Sequence, residues 1–440
     1  MPGRRHALVA SIVASLTVLL LITYTKVGRG ELLQYVSPPN AAETKAAPGP
    51  KYLPKPSWIP LPIKDPFPAL AASTPPPVPT WNAPKRELHK KYGINYAPPL
   101  LIGFTRTWPI LLQAVVSYIT AGWPPEQIHV IENTGAQRAN EQGKLSLQNP
   151  FHLDYAQLKN LGVNIIRTPV LMNFAQLQNF YIHLSHEHNW PFYFWSHMDV
   201  LVLSYEDGLE GVTPGANKEG YKTVYELCLT ELRHAMNSNE RWAEKFFAYD
   251  HLTLVNREAY DDVGGWDTFI PYYLTDCDMY SRLRMRNWTQ NDAKAGIIID
   301  VNTVLDDFQA FYRNHTVEPA FRDPNPPDPK PDGGKRADEL NEKRSLNDEY
   351  AYYKKLKALA EQMRRYKLGD RGRNTWQVSQ VGGQGEPFYY PSRGIAEAID
   401  LLTEAGREVY RRKWGHRDCD LIESTILKVE DQWLVAKDWD

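Results

Sequence analysis

Short apolar runs that end in polar residues, with helical spacing between them, constrain this chain more than any other feature. The runs are PLLIGFTR (99–106), QIHVIENTG (127–135), VNIIRTPV (163–170), PFYFWSHMDVLVL (191–203) and GIIIDV (296–301). After the first, Ile110, Leu111, Ala114, Val115, Tyr118 and Ile119 recur at helical spacing, and Gly122 predicts the stop. NFAQLQNFYIHLSHEH predicts a second helix, and a third falls near 223–237. Strand and helix in alternation predict a parallel sheet covered on both faces. Such sheets bind ligands at the C-terminal ends of their strands. Thr105, Arg106, Glu132, Asn133, His197 and Asp199 fall at or near such ends. If 191–203 is one strand, His197 and Asp199 stand two residues apart and share a face. They are then a ligand pair or an accident of packing.

The remainder of the chain adds appendages. The N-terminus carries an uncharged apolar run at 7–24, flanked by Arg4, Arg5, Lys26 and Arg29. Eighteen helical residues reach about 27 Å, enough for a thin bilayer. An uncleaved anchor is expected, with a cleaved signal peptide as the rival. A proline-rich stretch follows and reads as a stem. FRDPNPPDPKPDGGK (321–335) reads as a mobile loop, and two amphipathic helices follow it. Sequons at Asn287 and Asn314 fit a lumenal body. Cys228, Cys277 and Cys419 allow one disulfide, and the sequence leaves the pairing open. A net charge of −2 gives no global basic field for nucleic acid.

In VGGWDTFIPYYLTDCDMYSRLR, Gly264 and Gly265 permit a turn ahead of Asp276, Asp278 and a helix through Met279 and Leu283. Together with LIGFTRTWPILLQAVVSYITAGWPPEQIHVIENTG and WSHMDVLVL, in that order, this stretch resembles the GT-A nucleotide-sugar glycosyltransferases. The inverting, family-two-like branch is the nearest likeness, over 99–315. The resemblance implies a Rossmann-like mixed α/β sheet with an appended C-terminal helical region. It implies six segments: a cytosolic tail (1–6), a transmembrane anchor (7–24), a stem (25–98), the catalytic domain (99–315), a loop (316–335) and a helical extension (336–440). It implies a type II single-pass Golgi membrane protein with a lumenal catalytic body.

The implied reaction moves a sugar from a nucleotide-sugar donor, UDP-linked rather than GDP-linked, to a glycan hydroxyl with inversion. Asp276 takes the place of the general base, with a helix cap as its plain alternative. Thr105, Arg106, Glu132 and His197 take nucleotide positions. Asp199, His197 and Asp306 take the metal positions, with His315 or His416 as substitutes for Asp306, and Mn²⁺ or Mg²⁺ as the ion. Trp266 and Asp267 stand on the acceptor side, or form a structural turn with a packed Trp. The chain departs from the family where His197 replaces the first Asp of Asp-x-Asp, Thr275 a Glu, and Asp306 a His. The departures at 197 and 275 keep a non-catalytic glycan-binding or scaffold protein as a rival, and a retaining transferase is the runner-up among enzymes. His183, His186 and His188 read as a solvated helix face. Lys413, His416 and Arg417 read as diphosphate contacts or as a helix end followed by a packed Trp.

Overall fold

A computed structural model describes residues 49–54, 61–322, 349–369 and 380–440. The expected anchor (7–24), most of the first half of the stem and most of the 316–335 loop lie outside the described residues. Two compact units divide the chain, Met1–Trp58 and Ile59–Asp440. Of the first, residues 49–54 are exposed and carry no regular secondary structure. Among the described residues no helix is long and apolar enough to cross a membrane.

The second unit is built on strands β1 (Leu100–Phe104), β2 (Ile128–Glu132), β3 (Asn164–Arg167), β4 (Phe192–Ser196), β5 (Val200–Leu203), β6 (Trp242–Phe246), β7 (Leu252–Asn256), β8 (Thr289–Asp292) and β9 (Ile297–Asp300). The helices of seven or more residues between and after them are α1 (Trp108–Thr120), α2 (Tyr155–Leu161), α3 (Phe174–Glu187), α4 (Val224–Asn237), α5 (Arg257–Val263), α6 (Thr275–Met285), α7 (Glu349–Leu368) and α8 (Ser392–Trp414). The main sheet runs β3-β2-β1-β4-β7-β6-β8. β1 pairs parallel with β2 and β4, and β6 parallel with β8. β7 is antiparallel to both its neighbours, β4 and β6. The sheet is therefore mixed, and the C-terminal ends of β1, β2, β4 and β6 share one edge with the start of β7. The α/β class and the helical C-terminal region are as the sequence predicts.

Alternation alone predicts a parallel sheet, which antiparallel β7 corrects, and a second expectation is corrected as well. PFYFWSHMDVLVL forms two strands, not one. β4 stays in the main sheet, while β5 pairs antiparallel with β9 in a separate two-stranded sheet, Val200 opposite Asp300. His197 and Asp199 therefore occupy the crossing between sheets. Both halves of the run are apolar because each half is buried, so hydropathy alone does not reveal the break.

Period-two alternation assigns the two faces of the sheet. Leu100, Ile102 and Phe104 join one core with α1, β5 and the buried side of α4. Leu101, Tyr193, Trp195 and Val255 join a second core with α3, α5 and α6. α1 is buried on every side, which its all-round apolar sequence requires. α3 and α4 start at capping boxes, Asn173 with Gln176 and Thr223 with Glu226. Gly103 on β1 has no room for a Cβ, which would lie 2.5 Å from the Tyr181 hydroxyl.

Two regions that composition marks as appendages contribute to the core. Phe67, Leu70, Leu88 and Ile94, within the expected stem, are buried in the first core. Proline favours an extended path there, but the apolar residues between the prolines still have a surface to cover. α7 adds Tyr352, Tyr353, Leu356, Ala360 and Met363 to the same core. The chain pairs Cys277 with Cys419 and leaves Cys228 as a buried thiol.

Candidate active site

The crossing after β4 is pinned from three directions. The His197 amide donates to the His251 carbonyl at 3.1 Å. Ser196 Oγ donates to the same carbonyl at 2.8 Å and accepts from the Tyr118 hydroxyl at 2.8 Å. The His197 ring lies against Trp195, 5.4 Å between centroids. So fixed, His197 places Nδ1 3.7 Å from Asp199 Oδ1 and Nε2 3.7 Å from Asp250 Oδ1. Burial alone would lower the imidazole pKa. Asp250, then Asp199 and Asp300, outweigh it and raise the pKa to about 9. His197 is therefore an imidazolium at neutral pH.

Asp199 is likewise disfavoured as an anion by burial, yet Lys367 and His197 hold it well below the usual carboxylate range. Asp300, at the end of β9, is raised by burial and by Asp199, against the pull of Lys367. The Lys367 ammonium sits between these two carboxylates. It donates to Asp199 Oδ2 at 2.6 Å, to Asp300 Oδ1, and to the Val301 carbonyl at 3.2 Å. Those are all three of its protons.

Asp276 lies on the first turn of α6 and is half-buried. The Tyr249 hydroxyl approaches its Oδ2 at 3.4 Å. The neighbouring Asp250 feels the Asp276 charge, and burial raises the Asp250 carboxyl. Asp199 and Asp276 thus meet through His197, Asp250 and Tyr249 at one sheet edge. Backbone strain collects here too. Ala248 (φ 109°), Tyr249 (φ 52°) and Leu274 (φ 67°) are left-handed without being glycine. Such outliers persist where surrounding structure enforces them, often at functional sites.

The other expected residues are placed as follows. Thr105 and Arg106 are half-buried just beyond β1, at the same edge. Glu132 is fully buried, accepting from Asn140 Nδ2 at 2.7 Å, from Thr134 Oγ1 at 3.0 Å and from the Tyr155 hydroxyl. Trp266 is 2% exposed, its ring packed against Phe174, Tyr260 and Tyr280 in the second core. Asp267 accepts from Lys413 Nζ at 2.7 Å and from the Phe269 amide at 2.9 Å. Lys413 also pairs with the buried Asp278 at 2.6 Å, and the neighbouring Trp414 donates to the same oxygen at 2.9 Å.

Asp306 is exposed beside Arg322, 3.6 Å away. His315 packs on Tyr352, and His416 pairs with Asp438. The metal triad expected from sequence is therefore not gathered. Among the described residues no group of three or more His, Cys, Asp or Glu side chains has the arrangement to hold a metal ion. Lys367 fills the place between Asp199 and Asp300, so the donor set does not fit a divalent cation.

The sequence does not single out Tyr249, Asp250, Asp300 or Lys367 as site residues. Asp250 and Asp300 do follow apolar runs, FFAYD and GIIID, as the other edge residues do. A separate cavity of about 460 Å³ lies by Phe192, Trp242 and Asn256, at the opposite edge from the carboxylates.

No family model matches this chain, and no curated protein matches it. Solved structures do resemble it. A mannosyltransferase from Pyrobaculum calidifontis, in complex with GDP-Man and Mn²⁺, is similar over 47% of this chain and 61% of its own, at 9% identity and a TM-score of 0.29. A cytidylyltransferase from Leptospira borgpetersenii serovar Hardjo-bovis is similar over 60% of this chain and 97% of its own, at 9% identity and a TM-score of 0.30. GalNAc-T7 with UDP, GalNAc and Mn²⁺ is similar over 46% of this chain and 44% of its own, at 13% identity and a TM-score of 0.28. The chain thus spans less than two thirds of the length of either glycosyltransferase. At these scores the likeness carries no argument about chemistry, which rests on the residues just described.

Proposed function

We propose that this chain is a nucleotide-sugar-dependent glycosyltransferase that transfers to a glycan hydroxyl with inversion. One observation carries the reading: Asp276 and Asp199 are linked through His197, Asp250 and Tyr249 at the C-terminal edge of a mostly parallel sheet. Asp276 is the half-exposed carboxylate of that group and serves as general base. It takes the acceptor proton as the acceptor oxygen bonds to the anomeric carbon and the bond to the diphosphate breaks. The His197 imidazolium and Arg106 offset the charge that develops on the leaving diphosphate. No step is routed through a metal.

The same reading places the body in the lumen of the secretory pathway, at the Golgi, tethered by 7–24 and held off the membrane by the prolines that follow. A disulfide between Cys277 and Cys419 suits an oxidising compartment.

The test is release of nucleoside diphosphate from a panel of UDP- and GDP-sugars by the full chain. Turnover that Asp276→Asn abolishes supports the proposal. Silence across the panel, with no thermal shift on adding any nucleotide, favours the second reading, a non-catalytic glycan-binding protein. The saturation of Glu132 and Asp199 by partners within the chain is what favours that rival.

A further inference from the structure

We infer that Lys367 is the resident cation of this site, filling the place between Asp199 and Asp300 that a divalent ion would need, so that the chain acts without a metal. The position is built into the fold. Tyr353, Leu356, Ala360 and Met363 are the buried stripe of α7, in steps of three and four residues. The next position on that stripe is Lys367, where the pattern calls for an apolar side chain. The stripe is embedded in the first core, so the helix holds the ammonium in place, 2% exposed.

A buried ammonium is costly unless it is paired and hydrogen-bonded. Here every proton has an acceptor, two of them carboxylates. A hard divalent ion would take the same oxygens at about 2.0–2.6 Å. Nitrogen and metal cannot both stand there. Among the described residues, His197 stands on the other side of Asp199 and is shared with Asp250.

Occupancy by Lys367 is independent of the proposed transfer reaction; only the statement that transfer needs no metal rests on it. The test is a Mn²⁺ titration of the full chain, read by the electron paramagnetic resonance of free Mn²⁺ and by calorimetry. The wild type is expected to show no saturable uptake up to about millimolar Mn²⁺, the weak end of the range of dedicated protein sites. Lys367→Ala vacates the position and is expected to bind one Mn²⁺ per chain, and adding Asp199→Asn is expected to abolish that uptake. Lys367→Met keeps the apolar stem and replaces the alanine variant if far-UV dichroism shows that the latter has lost its fold. Saturable one-to-one uptake by the wild type that Asp199→Asn removes overturns the inference. So does a folded Lys367 variant that takes up no Mn²⁺. Turnover insensitive to EDTA is expected, and turnover lost to EDTA overturns the catalytic part. An absence of turnover counts against the transferase reading, while the Mn²⁺ titration still decides Lys367.

Discussion

Cys277 and Cys419 are joined by a disulfide that closes a 142-residue separation, one residue from Asp276. The bond ties the first turn of α6 to the segment after α8. Lys413 and Trp414 grip the same turn through Asp278. The C-terminal region therefore fixes the carboxylate that we assign as base.

Asp276→Asn keeps the shape of a half-exposed side chain and removes its basicity. Transfer is expected to fall about 10²–10⁴-fold, with the thermal midpoint nearly unchanged. A steady-state assay beside a melting curve checks both. A variant with undiminished turnover ends the assignment.

Replacing Cys419 with Ser lengthens the unfolded chain's freedom. A loss of about 2–5 kcal/mol of stability is expected. Urea denaturation of the variant against the oxidised wild type measures it. Equal midpoints would show that the bridge contributes nothing.

Lys413→Ala strips a cation from Asp278, which is fully buried and keeps Arg282 and Trp414 among the described residues. Losing that cation is expected to cost about 3 kcal/mol, and adding Asp278→Asn should deepen the loss, because it leaves the buried Arg282 guanidinium without its carboxylate. Chemical denaturation of the single and double variants separates the outcomes. A double variant no worse than the single one argues against an electrostatic cause.

Glu244 on β6 accepts from Tyr260 and Gln290 in the second core. Burial raises its carboxyl to about 7, against the smaller lowering by those two partners. A raised folded pKa gives stability that is complete below the unfolded value near 4.5 and is lost as pH rises through about 7. Glu244→Gln should flatten that slope and gain roughly 1–3 kcal/mol at pH 8 relative to wild type. Denaturation curves from pH 4.5 to 8 test it, and parallel curves for both proteins would sink it.

Asn287 is exposed in the turn after α6, whereas Asn314 is half-buried with its amide donated to Gln309 at 2.7 Å. In a secretory host, glycosidase digestion is expected to shift the wild type. Asn287→Gln should remove most of that shift, and Asn314→Gln little of it. An unshifted wild type counts against a lumenal body.

The amino-acid sequence by itself determined β1 to β5 and β9, the longer helices, and the edge where the polar residues gather, while β6, β7 and β8 are not legible in it. Apolar runs of four or five residues with polar ends become strands, and α1, α3 and α4 follow from spacing and caps, because both signals are local. Thr105, Arg106, His197 and Asp199 are legible for the same reason, as they stand where two apolar runs, LLIGF and PFYFW, give way to polar residues. Tertiary structure alone decided that β4 and β5 part into two sheets, since equal burial erases the boundary from hydropathy. It decided that Asp306 stands apart from Asp199. It also brought Lys367 to Asp199 across 168 residues. An ion pair of that kind depends on how a helix packs against a distant strand, and no spacing along the chain encodes it.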